Sequence, residues 1–104
     1  MSLTGKTADV LTMCRKANML VMGFDAVMEA AAGGKLSCVF TAKDISPKTA
    51  KEAKFFCEKY NTELEALCIS SDEIHFSLGK KAVVLGVKSG GFAQKLKGIN
   101  GKTA

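Results

Sequence analysis

Residues Leu36 to Ala42 read Leu-Ser-Cys-Val-Phe-Thr-Ala, a run of apolar and small side chains without the alternation of a half-exposed strand. Such a run suits a strand covered on both faces, which requires helices above and below its sheet. The residues that follow narrow the choice further. Ser46 stands where a helix cap is needed, and Pro47 fits the first helical position, where its missing N–H leaves nothing unpaired. Ala50, Ala53, Cys57 and Tyr60 then recur at three- and four-residue spacing, the period of a helix with one buried face. A central strand feeding a helix through a short turn is the building unit of layered α/β folds. Lys43, Asp44 and Ser46 occupy that turn, where such folds often carry binding groups; an ordinary strand-to-helix connection is the competing reading.

The rest of the chain repeats the unit. A first helix is expected over Thr4 to Ala17, burying Ala8, Leu11 and Cys14, and a short strand over Met19 to Met22. Gly23 then opens a helix from about Asp25 to Ala32, stopped by Gly33-Gly34. Leu64 to Ile69 fits a third strand. Ser70 and Glu73 match a capping box for a short helix ending at Gly79. Ala82 to Val87, apolar throughout, reads as a central strand, and Ser89 to Lys97 as a last helix with Phe92 and Leu96 inward. Residues 98–104 read as a frayed tail. With 104 residues there is room for one core. The expectation is a single domain over 1–104, an α/β three-layer α/β/α sandwich with a four-stranded mixed sheet.

Several function classes find no support. The four cysteines, at 14, 38, 57 and 68, form no Cys-x-x-Cys pair, and His75 is the only histidine. Neither a zinc site nor a nucleophile–base pair can be assembled from them. Reduced thiols used as small core residues are expected instead. Paired carboxylates and phosphate-binding glycine loops are also missing, so no enzyme, cofactor or metal is expected. The apolar runs are too short to cross a bilayer, and Met1 to Lys6 lacks the apolar core of a secretion signal, which makes the cytoplasm the expected compartment. Charge is more informative. Residues 1–73 carry nine basic and ten acidic side chains, whereas after Glu73 there are six lysines and no acid. A one-signed terminal third favours a polyanionic partner such as nucleic acid or the ribosome surface; a lysine-rich solvated surface is the competing reading.

Over residues 7 to 99 the chain resembles the ribosomal protein L7Ae/L30e family of small α/β/α proteins that bind kink-turn RNA, its bacterial YlxQ-like branch most of all. The resemblance rests on the order and spacing of Arg15-Lys16-Ala17, Gly23, Gly34-Lys35-Leu36 and Ala42-Lys43-Asp44-Ile45-Ser46. His75 ahead of Gly79-Lys80, and Gly91-Phe92-Ala93 with Leu96, complete it. It implies RNA binding at one end of the sandwich. In the family a Gly-Thr-Asn-Glu stretch, with a lysine three residues later, meets the kink at the start of the second helix. A loop after the third strand packs against splayed bases. The aligned positions here read Gly23-Phe24-Asp25-Ala26, and the lysine position is Glu29. Asp25 accepts hydrogen bonds but cannot donate as asparagine does, Ala26 has no carboxylate to read a base edge, and Glu29 opposes a phosphate.

The RNA-facing residues implied are Lys16, Gly23, Phe24, Asp25, Lys35, Lys43, Ile69, Ser70, Ser71, Lys80 and Lys81. Phe24 either stacks on a base or serves as a core residue at the helix entry. The expected function is non-enzymatic binding of structured RNA, linked to ribosomes or translation, with a ribosomal or RNA-processing protein as further partner. The rival is a protein-interaction adaptor that kept the fold and lost the RNA site.

Overall fold

Ser46 Oγ accepts a hydrogen bond from the Thr49 amide at 3.3 Å and Pro47 opens the helix, so the polar turn after the second strand is capped by local chemistry. The same holds before the short fourth helix. Ser70 Oγ accepts from the Glu73 amide at 3.2 Å, and the Glu73 carboxylate accepts from the Ser70 amide at 3.1 Å. Gly79, at φ +76°, closes that helix in the left-handed conformation that glycine adopts without steric cost.

The computed structural model describes residues 3–101. Its elements run α1 (Leu3–Lys16), β1 (Leu20–Met22), α2 (Phe24–Ala32), β2 (Cys38–Thr41), α3 (Pro47–Lys59), β3 (Glu63–Ala66), α4 (Ser71–Leu78), β4 (Val84–Val87) and α5 (Gly90–Gly101). The strands pair in the order β1-β4-β2-β3, with β4 antiparallel to both neighbours and β2 parallel to β3. The two runs lacking alternation are the interior strands, and every residue of β2 and β4 is buried.

Successive side chains point to opposite faces of the sheet, and the core divides accordingly. Cys38, Phe40, Leu85 and Val87 pack with Leu11 and Cys14 of α1, Ile74 and Leu78 of α4, and Leu96 of α5. Val39 and Val84 pack with Val27 and Met28 of α2 and Ala53 and Cys57 of α3. These are the three layers that the apolar periodicity predicts. Gly86, opposite Val21 and Val39, has no side chain because Leu36 fills its space. A Cβ there would lie 2.7 Å from Leu36 Cδ1.

Two expectations need correction. The third strand does not reach Ile69: it ends at Ala66, and Leu67 and Ile69 turn inward to the core. Isolated bonds hold them there, Leu67 N–H to Thr41 O at 2.8 Å and Lys43 N–H to Ile69 O at 2.7 Å. Nor does α5 stop at Lys97. It continues through Gly101, because Ile99 packs on the core and Lys97 forms an ion pair with Glu63 of β3. Residues 102–104 of the expected tail lie outside the described residues.

Cys14, Cys38, Cys57 and Cys68 are free thiols, the first three buried. Burial pushes the Cys14 thiol up to about 11 and the Cys38 thiol to about 12, far from the thiolate that nucleophilic or metal chemistry needs. Among the described residues no group of histidines, cysteines and acids could hold a metal ion, and no helix is long and apolar enough to cross a membrane.

Candidate functional site

Because β4 runs against both its neighbours, its beginning meets their ends. Gly23 N–H, just past β1, donates to Val84 O at 2.9 Å, and Ala42 N–H, just past β2, donates to Val83 O at 2.8 Å. The bond from Lys43 N–H to Ile69 O adds the turn before α4. Three short connections, at Gly23, at Lys43 and at Ser70, therefore lie side by side along one edge of the sheet.

Gly23 is the cap residue of α2. Its φ of +99° with ψ 144° is open to glycine and strained for other residues, and nothing lies within 4 Å of where a Cβ would sit. Its carbonyl accepts the first helical bond, from Val27 N–H at 3.0 Å, and no side chain caps the helix. The first-turn amides of α2 thus face outward at the positive end of the helix dipole, a ready acceptor of phosphate. Asp25 and Ala26, in that turn, are both exposed.

The other two connections are fastened together. Asp44 Oδ2 accepts from Ser71 Oγ at 2.7 Å and Asp44 Oδ1 from Ser71 N–H at 2.8 Å. These bonds to Ser71, helped by nearby Lys81, hold the Asp44 carboxyl below its ordinary value. A carboxyl lowered by folding stabilises the fold above its unfolded value, about 3.9, and that contribution is lost as pH falls through the lower folded value. The gap in urea midpoint between wild type and Asp44→Ala should therefore be constant above about pH 5 and close at lower pH. An equal gap at pH 7 and pH 2.5 would show that the latch contributes nothing.

Lysines surround this end. Lys43 is exposed beside Asp44, and the Lys81 ammonium lies 3.2 Å from the Asp72 carboxylate in the first turn of α4. Lys80 is exposed next to it. Ser70 is half-buried and engaged in its capping box.

Not every residue expected here is available. Ile69 is fully buried and belongs to the core, and Ser71 is 2% exposed with its hydroxyl committed to Asp44, so neither side chain can pack on a base. Phe24 is half-buried against the α2–α3 core, its ring edge-on to Phe56 at 6.2 Å, which favours the helix-entry reading over a free stacking ring. Lys16 and Lys35 lie toward the opposite end of the sheet. There Leu20 and Cys38 both face Val87, and Lys88 N–H donates to Met19 O at 2.8 Å. Lys35, Lys88 and Glu29 line a hollow of about 180 Å³ along α2, so the acid at position 29 faces basic neighbours of its own. One exposed residue escaped sequence reasoning: Phe76 on α4, at 93% exposure. Its signal was available, since Ile74 and Leu78 fix the buried face of α4 and Phe76 falls between them on the outer side.

The family model for ribosomal protein L7Ae/L30e/S12e/Gadd45 matches residues 5–97. The chain belongs to this family. A solved structure from Bacillus halodurans, described as a protein with unknown function, is 26% identical with a TM-score of 0.81, over 90% of this chain and 95% of that one. The Giardia lamblia 15.5kD RNA binding protein is 14% identical with a TM-score of 0.73, over 96% of this chain and 86% of the other. At that identity the likeness speaks for the shared L7Ae-type fold alone. No curated protein matches the chain.

Proposed function

We propose that this L7Ae-family chain binds structured RNA at the sheet end where Gly23 opens α2, as a non-enzymatic component of a translation-associated ribonucleoprotein in the cytoplasm. A kink-turn-like fold is the RNA we favour. The observation that carries this reading is the convergence of uncapped α2 amides with Lys43, Lys80 and Lys81. The Giardia relative, an RNA-binding protein by description, supports it. With Asp25 and Ala26 at the exposed first turn, base reading is sparse and phosphate contacts supply most of the affinity.

Anisotropy titrations of kink-turn, hairpin and unstructured RNAs at several salt concentrations test this. Each phosphate contact contributes about 0.7–0.9 to the log–log salt slope, so three lysines predict a loss of roughly 20- to 40-fold between 50 and 200 mM salt. Lys43→Ala should weaken all three RNAs alike and reduce the slope by slightly less than one unit. A second reading, a protein-interaction adaptor that kept the fold, is favoured by Ala26 and Glu29, which stand where the resembled pattern has a carboxylate and a lysine. Absence of RNA binding even at 50 mM salt would decide for it.

A further inference from the structure

We propose that the outward face of α4, centred on Phe76, is a stacking platform for an unpaired base flanking the RNA held at the α2 end; this rests on the RNA reading above. Phe76 is 93% exposed, although a phenylalanine ring ordinarily repays burial with a large apolar contact. It contributes nothing to the core, because Ile74 and Leu78 already pack the inner side of α4. A solvated ring of this size on a short helix gains only when something covers it.

Charge selects the occupant. Asp72, four residues before Phe76 on the same face, has its carboxylate paired with Lys81 at 3.2 Å, and the Glu73 carboxylate is taken up by the Ser70 amide. The acids of α4 are thus paired or engaged; Lys81 holds Asp72 one turn before the ring, and Lys80, exposed beside Lys81, keeps its charge for a polyanion. Arg15, which donates to Leu78 O, adds a guanidinium at the end of the same helix. An exposed aromatic ring among cations is how proteins hold single-stranded nucleic acid, bases on the ring and phosphates on the lysines. An apolar protein partner would have to desolvate those same cations. Lys81 also adjoins Asp44, which makes this face continuous with the Lys43 connection. Phe55, the other exposed phenylalanine, is less exposed, at 62%, and its ring already meets that of Phe56 at 5.3 Å.

The chain contains no tryptophan, so Phe76→Trp introduces a single fluorophore at a position that packing does not constrain. Two RNAs are compared, one structured element with an unpaired flank and the same element blunt-ended. Binding is read by anisotropy of labelled RNA and stacking by indole quenching with unlabelled RNA. The flanked RNA should quench the indole in parallel with binding. Phe76→Ala should weaken the flanked RNA about five- to a hundredfold and leave the blunt one unchanged, and Phe76→Tyr should keep wild-type affinity. Binding without quenching, or equal effects of Phe76→Ala on both RNAs, overturns the platform while the RNA reading stands. No anisotropy change with either RNA overturns both and leaves Phe76 to a protein partner.

Discussion

Phe40→Ala is expected to remove roughly 3–5 kcal/mol of folding free energy. Phe40 is fully buried on interior strand β2, opposite Leu85, and lies where α1, α4 and α5 meet the sheet. Neighbours held on two sides by β3 and β4 can collapse little into the cavity it leaves. A domain of this size holds about 5–15 kcal/mol in total, so the variant stands near the edge of folding. At about 4–8 °C per kcal/mol, thermal melts followed by circular dichroism should shift down by at least 12 °C. Phe76→Ala, an equally large truncation outside the core, should stay within about 0.5 kcal/mol of wild type. Similar melts for the two variants would contradict the layered core.

The double substitution Asp25→Asn and Ala26→Glu is expected to raise preference for a kinked RNA over a plain hairpin by about tenfold or more. It returns an amide and a carboxylate to the first turn of α2, and a good bidentate base contact discriminates by about 1–3 kcal/mol. The fold should tolerate the change, because both positions are exposed and an acid at the third helical residue suits the positive end of the dipole. Competition titrations of the two RNAs measure it. An unchanged ratio, or a wild type that already prefers the kinked RNA strongly, would show that Asp25 and Ala26 do not set selectivity.

What could be read from the sequence was local chemistry. The Ser46 cap, the Ser70–Glu73 capping box and the two unalternating strands need only near neighbours to be recognised, and all stand as expected. Contacts made across the fold were not legible. The hydrogen bonds between Asp44 and Ser71 join the turn after β2 to the first residue of α4, and no spacing rule announces them. Ile69 was read as the end of the third strand and, through the resemblance, as facing RNA, yet the strand stops at Ala66 and a backbone bond from Lys43 holds Ile69 in the core. Gly98 looked like a stop, but Ile99 and Lys97 find partners that outweigh one glycine in a helix. In the candidate site, Lys43 was singled out by its place in a strand-to-helix turn, whereas Gly23 was named for RNA only through the family resemblance. Lys16 and Lys35 were set beside them by the resemblance too, and the strand directions put both toward the other end of the sheet.

The place of β4 between β1 and β2 carries a consequence for synthesis. The strand that joins the sheet is the last of the four to be made, and until Val84–Val87 exists β1 has no partner and β2 is bonded on one side only. Pairing elements from opposite ends of a chain is slow, because a long loop must close before any contact rewards it. The sheet therefore cannot close before the last strand of the chain is made, and the first two strands are joined only through it.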